Sequence, residues 1–221
     1  GGTGGVAVGY QSGYHPTGNY NTWVGYNAGF GQAGASAEQN VGVGRETMMN
    51  ISSGDKNTAL GYHAGKSITT SEGNTFVGHQ AGYGEDTGSY NTIVGYNAYT
   101  GSSGGTENVA MGVQAMRDNT SGDYNTAIGT NALYKNTTTN ANVAIGRRSM
   151  FTSTTAEQNV AAGYHSLYDL TEGDQNVALG YAALSGATTG QQNVAVGPEA
   201  GISLQGGSYN VALGSDALRA S

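Results

Sequence analysis

The stretch "YNTAIGTNAL", residues 124–133, recurs along the chain as "YNTIVGYNAY" from Tyr90, "QNVALGYAAL" from Gln175 and "YNVALGSDAL" from Tyr209. With its Asn as column 0, the copies align on Asn21, Asn40 and every seventeenth residue from there to Asn210. An additional copy at the start, "GVAVGYQS", carries Gly5 in the Asn position. The first two steps are 16 and 19 residues, making 13 copies in 221 residues. A fixed period of this length marks a solenoid, in which each copy buries its apolar side only by stacking on its neighbours.

The columns define the unit. Column 4 is Gly in all 13 copies, and column 7 is nine Ala, three Ser and Thr47. Column 1 is Thr or Val, and column 3 is Val, Leu, Ile or Met except for Ala162. The 39 Gly exclude helical repeats, since each would cost about 1 kcal/mol in a helix interior. β-Branched residues at columns 1 and 3 give a strand period of two. Copies of one strand stacked in sequence order must be parallel, so the expected fold is an all-β parallel β-solenoid (β-roll) of about 13 coils. At roughly 4.8 Å per coil it would form a rod about 60 Å long. One G-x-x-A element per coil favours a flattened roll with two short strands, columns 0 to 3 and columns 7 to about 10. A glycine turn and a polar loop would join them.

On this reading columns 1 and 3 fill the roll. Column 2 points the other way and holds nine Ala with Trp23, Gly42, Phe76 and Ile93. A strand apolar on both faces is normally covered on both, and one coil has a single interior. Column 2 is therefore expected to meet a second copy of the chain in a cyclic homo-oligomer; the alternative is an Ala-rich wet surface on a monomer. Thus Thr126 and Ile128 would face inward, Ala127 a neighbouring chain, and Ala132 with Leu133 would begin the return strand. Asn125, Asn142 and Asn176 would form an axial hydrogen-bonded ladder or occupy a left-handed corner. Gly129, Gly146 and Gly180 would supply positive φ or close backbone approach.

None of the 23 charged residues lies in columns 0 to 4, so the charges belong to turns and loops. The net charge of −7 argues against binding a nucleic-acid backbone, and zero Cys excludes disulfides and thiolate metal sites. No stretch approaches the 18 apolar residues of a membrane span. Composition does not change along the chain, so residues 1–221 are expected to be one repeat domain, an excerpt of a longer fibre. His63 and His79 would sit on adjacent coils but lack a third metal ligand; no cofactor is implied. No carboxylate pair, phosphate loop or G-G-x-G-x-D calcium repeat is present, so no catalytic residue is assigned. An ice-binding Thr array is disfavoured by Val in eight of 13 column 1 positions.

What varies between coils is the surface. Six Tyr occupy column 5, including Tyr62, Tyr96, Tyr164 and Tyr181, and Tyr124 is among those in the loops. Amphipathic Tyr among Thr, Ser, Asn and Gly is the composition of recognition surfaces, and these five are the candidate glycan contacts. The alternative is that the Tyr cap the edges by stacking on each other.

The phrases "VAIGRRS" (residues 143–149), "VALGYAA" (177–183) and "VAVGPEA" (194–200) resemble the repeats of trimeric autotransporter adhesin heads. "NTAIGTNALYKNTTTNANVAIG", from Asn125, is more similar still to repeats of bacteriophage tail fibres. The resemblance implies a left-handed, trimeric β-roll outside the cell, on a virion or a bacterial surface, that contacts a host glycan or protein receptor. The coil is longer than in the adhesins, with the extra residues in the polar loop. A phage tail-fibre segment is the expectation, with a bacterial adhesin head, an inert shaft, a tailspike depolymerase and an ice-binding solenoid as alternatives.

Overall fold

The computed structural model describes residues 2–101 and 103–219. It is all-β: 13 parallel strands of three residues each form a β-solenoid of about 12 turns with a 17-residue repeat. Contacts group the chain into two compact units, residues 1–108 and 109–221. The first unit contains β1 (Val6–Val8), β2 (Thr22–Val24), β3 (Val41–Val43), β4 (Thr58–Leu60), β5 (Thr75–Val77) and β6 (Thr92–Val94). The second contains β7 (Val109–Met111), β8 (Thr126–Ile128), β9 (Val143–Ile145), β10 (Val160–Ala162), β11 (Val177–Leu179), β12 (Val194–Val196) and β13 (Val211–Leu213).

Within each unit like columns pair with like. Val143 pairs with Val160, Ala144 with Ala161 and Ile145 with Ala162. The irregular steps at the start keep this register, since Val6 pairs with Thr22 and Thr22 with Val41. The polar loop absorbs the length differences. A slip of one residue would exchange the two strand faces, so loop length is free to vary where strand register is not.

The faces are opposite to the sequence expectation. Column 2 is the interior: Ala59, Phe76, Ile93, Ala127, Ala144 and Ala178 are each 0% exposed, and Trp23 is 3% exposed. Columns 1 and 3 face outward, with Leu60, Ile128, Ile145 and Leu179 38–42% exposed. The expectation equated bulk with burial. A coil of 17 residues has its return leg close behind the strand, and this narrow interior admits small side chains. Where column 2 carries a ring, the return leg must recede. A Cβ added at Gly29 would lie 2.2 Å from the Trp23 ring, and one at Gly82 would lie 2.2 Å from that of Phe76.

The return leg is not the second strand that was expected. Columns 5 to 8 form turns whose backbone alternates in hand, with positive φ at columns 6 and 8, as at Asn131 (59°) and Leu133 (47°) or Arg148 (56°) and Met150 (49°). The leg still bonds from coil to coil: the Leu133 N–H donates to Ser149 O (3.0 Å) and the Leu167 N–H to Ala183 O (3.0 Å). Non-glycine residues in the left-handed region cost roughly 1–2 kcal/mol each. Stacking on both sides holds them there. Column 4 needs glycine for two reasons, seen at Gly146: its φ is 129°, and a Cβ would lie 2.4 Å from Gly163 O.

Candidate functional site

The conspicuous Asn column is a structural ladder. The N–H of Asn142 donates to Asn125 Oδ1 (3.0 Å), that of Asn159 to Asn142 Oδ1 (3.0 Å) and that of Asn176 to Asn159 Oδ1 (2.8 Å). Each amide also donates to the polar loop of the next coil, as from Asn125 Nδ2 to Thr139 O (2.7 Å) and Asn176 Nδ2 to Gly190 O (2.8 Å). These Asn are 0% exposed. They do not take the left-handed corner, which falls one residue earlier, at Tyr124 (φ 59°), Ala141 (57°) and Gln175 (58°).

A second ladder was missed at the sequence level. Two positions before many of the Asn, a short polar or acidic side chain accepts the N–H of the preceding coil. Glu38 N donates to Asp55 Oδ1 (2.7 Å), Asp123 N to Asn140 Oδ1 (2.8 Å) and Glu157 N to Asp174 Oδ1 (2.8 Å). Many of the acidic residues thus serve as loop acceptors. The signal was an Asp, Asn, Ser, Thr or Glu recurring at this column.

The column 5 residues line one margin of the outward strand face. In the first unit Tyr10 stacks on Tyr26 (5.4 Å between centroids), and Arg45 lies 5.5 Å from Tyr26 and 5.7 Å from Tyr62. Tyr62 then stacks on His79 (5.0 Å) and His79 on Tyr96 (5.1 Å). In the second unit Tyr164 stacks on Tyr181 (5.6 Å). Column 9 carries a parallel stack, Tyr134 on Phe151 (5.0 Å) and Phe151 on Tyr168 (5.3 Å). Tyr124 stands apart, 58% exposed on the opposite margin. Along the stacks the ring faces cover one another, which leaves edges and hydroxyls for a ligand.

Beside the first stack sits a compact ionic group. Glu46 Oε2 is 2.8 Å from Lys66 Nζ, and Glu46 Oε1 is 3.2 Å from Arg45 Nη2. His63 Nε2 is 2.9 Å from Glu46 Oε2 without the alignment of a hydrogen bond. The Lys66 hydrogen bond leads in holding the Glu46 carboxyl below its usual range. Burial, then the charge of Lys66, lowers the His63 pKa. The two imidazoles raised as a ligand pair do different things, His63 facing Glu46 and His79 lying between tyrosine rings. Among the described residues no group of three His, Cys, Asp or Glu could hold a metal ion, and no helix is long and apolar enough to cross a membrane.

No family model, curated protein or solved structure matches the chain. Three surfaces therefore carry the functional reading: the outward strand face, the ring-lined turn and the polar loop. The strand face is the most unusual, because single chains rarely leave a continuous row of Val, Leu and Ile open to water.

Proposed function

We propose that this chain is a segment of an extracellular surface fibre, most consistent with a phage tail fibre, that extends or presents contacts to a host receptor. The carrying observation is the outward face of columns 1 and 3, where Ile128, Ile145, Leu179 and Val196 are each 38–42% exposed. Burial of such side chains in an assembly is worth about 25 cal/mol per Å² of apolar surface removed from water. A cyclic homotrimer, the assembly that the repeat's resemblance implies, would cover this face along each chain. Column 5 Tyr and Arg would flank the covered strip, and three copies of each turn would present weak receptor contacts together. Light scattering tests the assembly: a trimer is expected, and a stable monomer would overturn it. A glycan array tests the receptor role, for which binding at trimer-level avidity is expected.

One observation favours a second reading. Thr58, Thr75 and Thr92 stand on successive strands of the outward face, beside Leu60, Val77 and Val94. Such Thr-x-apolar rows could order water at an ice surface, but only if the face stays open. A monomer with thermal hysteresis would favour this reading, and a trimer without it the fibre.

A further inference from the structure

Cations gather on one turn of the second unit, and only one of the four has a carboxylate partner among the described residues. Arg117, Lys135, Arg147 and Arg148 are four of eight basic residues in a chain of net charge −7, and they follow the three successive strands β7, β8 and β9. Arg117 pairs with Asp118 (Nε to Oδ1 2.7 Å). Among the described residues the other three have no carboxylate within the 4.0 Å of an ion pair. Arg147 donates to the Tyr164 hydroxyl (3.2 Å), and the buried Nε of Arg148 has no acceptor among the described residues.

Rings hold these cations in place. Arg117 lies 4.4 Å from the Tyr134 centroid, Arg147 5.6 Å from Tyr164, Arg148 5.6 Å from Phe151 and Lys135 6.0 Å from Phe151. His165 joins the two ring stacks, 4.0 Å from Tyr164 and 4.5 Å from Tyr168. Burial leads in lowering its pKa, followed by the charges of Arg148 and Arg147, against the opposing charge of Asp169.

We infer that this turn binds an acidic polysaccharide, whose carboxylate or sulfate groups are received by Lys135, Arg147 and Arg148. The inference rests on the receptor-contact reading and names the receptor's chemistry. Lys135, Arg147 and Arg148 gathered without ion-pair partners repel one another, and an incoming anion relieves that repulsion without displacing the Arg117–Asp118 pair. Guanidinium forks match carboxylate and sulfate oxygens in pairs. A neutral sugar has less to hold, because the ring faces cover each other. Nucleobases likewise lack a stacking platform.

The test is calorimetric titration of the assembled protein with heparin-derived and polygalacturonate oligosaccharides, neutral dextran and single-stranded DNA. Binding to the sulfated or the carboxylated chain, weakened by salt, supports the inference and assigns the group. It should fall at least tenfold in Arg147→Gln/Arg148→Gln and stay unchanged in Lys56→Gln, which lies in the first unit. Gln already occupies the Arg148 column at Gln80 and Gln114, and Lys135→Gln repeats the test at an exposed side chain. Unchanged binding in these variants, or equal binding of dextran or DNA, overturns the inference. Binding of neutral glycans alone on a broad array would leave the receptor role standing without it; an array with no binding at all would remove both.

Discussion

Each unit fills a narrow interior of its own, and the two divide the work differently between strand and return leg. In the first, both walls carry bulk: Trp23, Phe76 and Ile93 point inward from β2, β5 and β6, with glycines at 29 and 82 facing the two rings, and the return leg adds Met48 and Tyr99. In the second, every strand from β7 to β13 carries Ala at that position, and bulk comes from the return leg as Met116, Leu133, Met150, Leu167 and Leu184, all 0% exposed. Column 2 and column 8 therefore share one volume. What the repeat specifies is the filled space, and either wall can supply it. Close packing fixes the sum over neighbouring coils rather than within each one, since Ile93 and Tyr99 are both fully buried in a single coil while Ala59 and Gly65 are both small in another.

Charging the wall breaks the comparison most severely. Ala127→Glu would bury an unpaired carboxylate in the second unit, and a loss of more than about 4–5 kcal/mol in urea denaturation is expected. Its neighbour Ile128→Glu faces outward, so chain stability should change little while light scattering reports dissociation. If Ala127→Glu dissociated the assembly while leaving the melt unchanged, column 2 would be an interface after all.

Exchanging the walls sharpens it. Gly82→Leu adds a side chain where the backbone already has a positive φ of 62° but the Phe76 ring blocks the Cβ. It should cost about 3 kcal/mol or more. Phe76→Ala alone should cost about 3–5 kcal/mol by opening a cavity. The double variant rebuilds the second unit's Ala–Leu pattern, and its melting should recover much of both losses. Additive losses would mean that the two columns do not share space. In the second unit Leu133→Ala should cost about 2–5 kcal/mol.

Smaller effects test what the two units have in common. Asn159→Ala removes the acceptor of the Asn176 N–H and the donor to Gly173 O, for an expected loss of about 1–3 kcal/mol. The smallest effect is a pH dependence near the first stack. Folded His63 takes up a proton less readily than a free imidazole of pKa 6.5. The unfolded chain then binds more protons below that value, so stability is complete above it and declines as pH falls toward the lower folded pKa. His63→Gln should flatten the decline in melts taken between pH 7 and pH 5; an unaltered profile would assign it elsewhere.

Much of the fold was legible because it depends on period alone. The 17-residue spacing, the Gly of column 4 and the short β-branched strands set parallel coils in register, and Asn125 or Asn176 could be read as ladder members because identical side chains recur at strand spacing. The second ladder escaped notice because Asp55, Asn140 and Ser208 are chemically different residues that share one acceptor role. Ring stacking of Tyr164 on Tyr181 was foreseeable from the columns. The merger of two columns through His165 was not, since it depends on how the turn folds across itself.

Periodicity in the chain was enough to determine a parallel solenoid, its register and the columns that stack. Which strand face is inside was settled only in three dimensions. Alternation separates two faces without saying which is covered, and larger side chains were the natural guess for the core. The close return leg reverses that choice: alternating backbone hand brings it behind the strand, so Ala127 fits inside and Ile128 is left facing water.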